Sequence, residues 1–82
     1  MVDLRLVLVR YYDHVEFRNR DYSQLKPLLR EVVGWIVHED AEKLVLLVEK
    51  PATDDVEEIV KLKPSGFVIL KSAVEEVIDL DA

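Results

Sequence analysis

The residues best suited to chemistry are two histidines that stand beside carboxylates: His14 follows Asp13, and His38 precedes Glu39 and Asp40. Imidazole and carboxylate groups are common metal ligands, but zinc sites place their ligands at short, fixed spacings. These histidines lie in two separate polar segments, so their spacing does not specify a zinc site. The chain has no cysteine, which excludes disulfides, thiolate metal sites and a cysteine nucleophile. We therefore predict that the protein holds no metal and no cofactor.

Patterns typical of enzymes are also missing from the sequence. It contains no glycine-rich phosphate loop, no paired-carboxylate motif, and no serine, histidine and aspartate in a recognisable catalytic order. We therefore predict that the protein is not an enzyme. The net charge of −6 also disfavours broad affinity for nucleic acids, because phosphate binding normally requires a basic surface.

The length of the chain, 82 residues, predicts a single small domain over residues 1–82 with a thin margin of stability. No run of about 18 apolar residues is present, so the sequence predicts no membrane-spanning helix. The start of the chain is too short and wrongly flanked for a signal peptide. We expect a cytoplasmic protein without a membrane partner.

The most informative stretch is Val32–Glu49, in which two apolar runs, Val32–Val37 and Leu44–Val48, enclose the polar tip His38–Lys43. Short runs rich in Val, Ile and Leu that are joined by a few polar residues predict a β-hairpin. A half-exposed hairpin alternates apolar and polar residues, whereas these strands are apolar at nearly every position. Such strands are covered on both faces. A domain this small has little material for that, so the hairpin favours self-association.

Strand patterns recur on both sides of this hairpin. Leu4–Tyr12 is apolar on both faces and predicts the first strand. Val56–Lys63 alternates in part and predicts a fourth strand, and Phe67–Leu70 predicts a fifth after a turn at Pro64–Gly66.

Two segments carry helix signals. The spacing of Asp21 and Gln24 resembles a capping box and predicts one or two short helical turns before Glu31. In the tail, a second capping box and apolar residues at helical spacing slightly favour a helix over residues 72–80. The same residues fit a strand, Val74–Leu80, entered through a single turn.

The segment Ile69–Ile78, ILKSAVEEVI, resembles the last two strands of the Sm-like small β-barrel family, and particularly its bacterial branch, Hfq. In that branch an aromatic–Lys–His–Ala–Ile turn precedes a strand that ends in paired valines, and Leu70–Val74 and Val77–Ile78 occupy the same steps. A second resemblance is to small phage-associated barrel proteins. They pair a Tyr/Trp-Asp-His motif with Val-Gly-Trp, as in Tyr12–His14 and Val33–Trp35.

The central hairpin resembles the first Sm motif. Gly34 and Ile36 are followed by Asp40 at the turn and by the apolar run Leu44–Leu47. The glycine has a physical reason, because a strongly bent strand needs a position without a Cβ atom.

The resemblance implies an all-β fold with short helical turns, an Sm-like or SH3-like small barrel of about five strongly bent antiparallel strands. Members of the family close into rings by pairing edge strands between neighbouring copies. The implied function is a non-catalytic homo-oligomeric ring, with single-stranded RNA as its candidate ligand. A rival of another class is a small α+β protein–protein adaptor with a helical tail and no nucleic-acid role.

The candidate RNA-binding residues come from the same resemblance. In the family, RNA bases lie in pockets formed by the hairpin tip and by the loop before the last strand. Asp40 matches the turn aspartate, Lys71 matches the basic residue of the final motif, and Ser72 stands where Hfq has its histidine. His38 and Lys43 complete the set as the other polar candidates of the tip. The stacking residue that the family places after the aspartate is missing.

The candidate packing and interface residues are Trp35, Val33, Ile69 and Val74. Aromatic side chains in so small a domain usually fill the core or a subunit interface. We predict that Trp35 is the main packing anchor of the hairpin.

Overall fold

The computed structural model describes residues 4–16 and 18–81. Within them the elements in chain order are β1 (Leu6–Asp13), β2 (Leu28–Glu39), β3 (Lys43–Glu49), α1 (Val56–Lys61), β4 (Ser65–Leu70), a 3₁₀ turn (Lys71–Ala73) and β5 (Val74–Asp79). The five strands form one antiparallel sheet in the order β4-β3-β2-β1-β5. The predicted all-β class with short helical turns is confirmed.

The sheet is curled, as its connections require. In a flat sheet β4 and β5 would lie about 19 Å apart, because neighbouring strands are spaced about 4.8 Å. The only connection between them is the 3₁₀ turn, and the four steps from Leu70 to Val74 span about 8 Å at about 2 Å per residue. The two edges therefore approach each other at this end. They are nevertheless not hydrogen-bonded neighbours, so the sheet is not closed into the barrel that the resemblance implies.

One face of the sheet, here called the inner face, carries the main apolar core. Its buried residues come from three strands and form one cluster: Val7, Val9, Leu44, Leu46 and Ile69. Along β1 the side chains alternate, so Leu6 and Leu8 lie on the opposite, outer face. There they stand across from Trp35 and Val33 of β2.

The outer face holds a second apolar layer that α1 provides. Ile59 of α1 and Leu47 of β3 are both buried, although neither belongs to the inner cluster. Both line an apolar cavity of about 320 Å³ between α1 and the β3–β4 pair. The strand β3 is thus covered on both faces, as the apolar runs predicted, but α1 of the same chain provides the outer cover for which the sequence favoured a neighbouring copy.

The prediction of a strand over Val56–Lys63 was wrong, because these residues begin with a helix. The side chain of Asp55 accepts a hydrogen bond from the backbone N–H of Glu57 and caps the first turn. Acidic residues follow in that turn, and Lys61 lies in the last one, as the helix dipole favours. The predicted turn at Pro64–Gly66 was also misplaced, because β4 already begins at Ser65.

Two further predictions met different outcomes. The helical turns expected before Glu31 do not form in the described residues, because β2 already begins at Leu28. Only a hydrogen-bonded turn from Leu25 N–H to the Tyr22 carbonyl remains.

The tail is the strand β5, so the strand alternative is confirmed over the helix. No helix in the described part of the chain has the length and apolarity needed to cross a membrane.

Candidate functional site

The hairpin tip is organised by the carboxylate of Asp40. Its Oδ1 atom accepts hydrogen bonds from the backbone N–H groups of Glu42 and Lys43, at 2.9 and 3.0 Å. Its Oδ2 atom lies 2.9 Å from Nε2 of His38. The hydrogen bonds from His38 and then from the two backbone groups lower the pKa of Asp40 far below its ordinary value. The carboxylate is therefore fully engaged in closing the turn.

A second carboxylate of the tip, that of Glu39, holds the cation of Lys71 from the 3₁₀ turn. Nζ of Lys71 lies 2.9 Å from Oε2 of Glu39, and the Lys71 N–H donates to the Glu42 carbonyl at 2.8 Å. These two contacts join the 3₁₀ turn to the hairpin tip. Ser72 lies in the same turn and is exposed. The candidate residues thus surround one small region, in which the Asp40 carboxylate is already bonded to His38 and the Lys71 ammonium to Glu39.

Other basic residues of the first third of the chain are paired as well. Arg10 lies between Glu31 and Glu76 at 2.6 and 2.9 Å, and it connects β2, β1 and β5 on the outer face. Hydrogen bonding to Glu31, with the charges of both carboxylates, raises the pKa of Arg10. Two more pairs, both 3.0 Å long, are Arg5–Asp79 and Arg30–Asp13. These arginine side chains therefore form ion pairs with carboxylates within the chain.

Trp35 is partly buried and lies beneath a cation. Nζ of Lys50 lies 5.1 Å from the centroid of the indole ring. The same ammonium donates to the carbonyl of Thr53 at 3.0 Å and lies 3.2 Å from Asp54. The Lys50 side chain is only 11% exposed. It therefore fixes the loop before α1 to the outer face of the hairpin.

The three other packing candidates fall into different places. Ile69 is buried in the inner cluster, and Val74 packs against that cluster from the start of β5. Val33 lies on the outer face opposite Leu8 and is about half exposed.

The sheet has two open edges, the strands β4 and β5. Along an edge strand the backbone N–H and C=O groups of successive residues point alternately toward the neighbouring strand and away from the sheet. Lys71 N–H bonds to Glu42, so the odd residues of β4 face β3 and the even residues Gly66, Val68 and Leu70 point outward. Leu80 N–H bonds to Leu6, so the even residues of β5 face β1. The groups of Val77 and Asp79 therefore point outward.

Sequence reasoning missed the helix α1 and the ion pair of the tip. The helix had a readable signal, because Asp55 followed by Glu58 has capping-box spacing. The pair between Glu39 and Lys71 had no local signal, because the two residues belong to distant segments of the chain. The exposed edges became recognisable only once strand order was known.

Comparison of this chain with known proteins finds no matching protein family, curated protein or solved structure.

Proposed function

We propose that this chain is a non-catalytic, Sm-like subunit that assembles into a homo-oligomeric ring by pairing the β4 edge of one copy with the β5 edge of the next. The single observation that carries the proposal is the pair of open edges of matched length, six residues each. The resemblance to the Sm-like family favours the same mode of assembly.

The β4 strand contains neither charges nor prolines, two of the features that keep edge strands apart in monomeric proteins. Such edges usually carry charges, prolines or bulges, because unpaired backbone groups attract another strand. Residues Ser65–Leu70 contain no charge and no proline. Val68 is 68% exposed, and Leu70 is similarly exposed. An uncharged, apolar edge of this kind is best stabilised by a second strand.

The outward backbone groups specify a register for the contact. In an antiparallel pair, residues that exchange both hydrogen bonds stand directly opposite each other. Placing Val68 opposite Val77 of the next copy also places Gly66 opposite Asp79. Every outward group of these four residues is then satisfied. The exposed side chains of the two valines come together on one face of the extended sheet.

Charge favours pairing of unlike edges. Two β5 strands side by side would bring together the carboxylates of Glu75, Glu76 and Asp79 from both copies, and like charges on adjacent strands repel. Two β4 strands would pair without repulsion but would leave both β5 edges open. Pairing β4 with β5 uses every edge, and such head-to-tail contacts close into a ring when the rotation per subunit permits.

The test is the mass in solution of wild type and of single proline variants, measured by size-exclusion chromatography with light scattering. Val68→Pro and Val77→Pro each remove an outward N–H and no hydrogen bond inside the chain. We expect a discrete multiple of 9.5 kDa for wild type and the monomer mass for both variants. Val68→Thr retains the N–H and the branched side chain, so it should assemble.

Wild-type protein that elutes as a monomer contradicts the proposal. A dimer that Val68→Pro dissociates and Val77→Pro leaves intact would instead indicate pairing between two β4 edges.

A further inference from the structure

We infer that α1 is a second element of the same contact: its exposed residue Val60 and the exposed Leu62 at its C-cap cover the uncovered inner face of β5 in the neighbouring copy. This inference rests on the proposed pairing of β4 with β5. The occupant of the apolar surface on α1 is therefore a second copy of this chain.

The first step concerns the inner face at β5, which is incomplete within one chain. Val77 stands opposite Val9, so both side chains lie on the inner face. Val9 is fully buried, whereas Val77 remains 42% exposed. Among residues 4–16 and 18–81 no other strand follows β5 at this edge. The inner face therefore lacks a cover at its last strand.

The second step concerns which faces meet across the contact. The outward backbone groups of β4 belong to residues of the outer face, such as Val68, which is in register with Val45. Those of β5 belong to residues of the inner face, such as Val77. Hydrogen-bonded partners in an antiparallel pair carry their side chains on the same face. The outer face of β4 in one copy must therefore continue into the inner face of β5 in the next.

The third step is that α1 lies on this same outer face. Ile59 anchors it there, in the cavity that Val45, Val68 and Pro64 also line. The next residue, Val60, is 62% exposed, and Leu62 is exposed to a similar extent. Joining the two strands brings these side chains to the side of the sheet on which the neighbouring Val77 is uncovered.

Charge supports a second copy as the occupant. Lys61 and Lys63 flank Leu62, and within the described residues neither enters an ion pair. In the register that pairs Gly66 with Asp79, the end of the neighbouring chain at Asp81 runs past Pro64. Basic groups of one copy then face acidic groups of the next.

The experiment compares Val60→Asp with Val56→Asp. Both replace an exposed valine of α1 by the same carboxylate, but Val56 begins the helix and, unlike Val60, does not line the cavity against β3 and β4. An acid in the first turn suits the helix dipole, so Val56→Asp should assemble as wild type does. Val60→Asp should raise the dissociation constant of the oligomer at least about tenfold, because it replaces apolar burial by repulsion from β5. Sedimentation measures the constants, and circular dichroism confirms that both variants fold.

A charge test keeps the inference falsifiable if Val60→Asp unfolds the chain. Lys63→Glu should weaken assembly, and adding Asp81→Asn to it should restore part of the loss. In wild type, Asp81→Asn alone should weaken assembly. The backbone N–H of Leu6 donates a hydrogen bond to the Asp81 side chain at 3.0 Å. Asparagine retains an oxygen that can accept this hydrogen bond.

The outcomes separate the two proposals. A monomeric wild type overturns both. A second set of results would overturn the role of α1 and leave the strand pairing standing. In that set the proline variants dissociate a wild-type oligomer, but Val60→Asp assembles as Val56→Asp does. Asp81→Asn then changes the dissociation constant in the same direction in wild type and in Lys63→Glu.

Discussion

Lys71 of the 3₁₀ turn and Glu39 of the hairpin tip are joined by an ion pair of 2.9 Å between Nζ and Oε2. The pair connects the two loops that the Sm-like resemblance identifies as an RNA pocket. It also occupies the cation on which RNA binding at this site would depend.

This relationship gives a direct test of the RNA prediction. Replacing Glu39 by Gln frees the ammonium of Lys71. We expect it to raise the affinity for U-rich or A-rich RNA at low salt by about twofold to fivefold, in line with the strength of exposed ion pairs. Lys71→Ala should abolish binding, as measured by fluorescence anisotropy. Glu58→Gln, on α1, is the control for the change in net charge. RNA affinity that responds to neither tip variant would exclude this site.

The depressed pKa of Asp40 predicts acid sensitivity of the hairpin. The folded-state pKa lies below the ordinary carboxyl value of 3.8, so the stabilisation is present above about pH 4. It is lost as the pH falls toward the folded-state pKa. Asp40→Asn retains an acceptor for the tip N–H groups but does not titrate.

The measurement is urea unfolding between pH 7 and pH 3 for both proteins. Wild type should be more stable than Asp40→Asn at pH 7, and the difference should shrink below about pH 4. A constant difference over the whole range would show that the carboxylate charge does not stabilise the turn.

Ile59 should be the residue on which the attachment of α1 depends. It is fully buried, so truncation to Ala should lower the free energy of unfolding by about 3 kcal/mol. Should that variant not fold, Ile59→Val should cost about 1 kcal/mol. Val60→Ala is the matched control on the next, exposed position, with an expected change within about 0.5 kcal/mol in monomeric protein. Equal effects at the two positions would mean that α1 does not pack as described.

Gly34 should tolerate no side chain. A Cβ atom there would lie 2.6 Å from the carbonyl oxygen of Leu47, in the backbone of the neighbouring strand. Gly34→Ala should therefore destabilise the hairpin by about 1–3 kcal/mol, the usual cost of overpacking. Thermal unfolding provides the measurement, with Ala52→Gly, in an exposed loop, as a control of similar size. An unchanged melting temperature would show that β2 can move away from β3 at this point.

We expect the side chain of Lys50 to contribute to the stability of the fold. Lys50→Met retains most of the side-chain volume over Trp35 but loses the cation and its oxygen partners. We expect the free energy of unfolding to fall by about 1.5–3 kcal/mol, typical of hydrogen bonds to a charged group, and the Trp35 fluorescence to shift. Lys61→Met, at an exposed position, should change neither quantity. A fluorescence spectrum that matches wild type would contradict the cation–π contact.

The sequence by itself determined the parts of the fold that local patterns encode. Apolar runs around a polar tip predicted β2 and β3, and the double apolarity of β3 correctly indicated cover on both faces. The helix α1 was also within reach, because Asp55 carries a local capping signal. We predicted a strand there instead, because apolar and polar residues alternate in part over the residues that follow.

Tertiary structure decided what depends on contacts between distant segments. The tail becomes β5 because its backbone pairs with β1, which no local rule for residues 72–80 could include. Glu39 meets Lys71 only because the sheet curls and brings the turn after β4 to the hairpin tip. Strand order likewise determined which backbone groups remain open, because hydrogen bonds within a sheet are nonlocal. The sequence therefore specified apolar strands, and only the folded sheet showed which strands lie at its two edges.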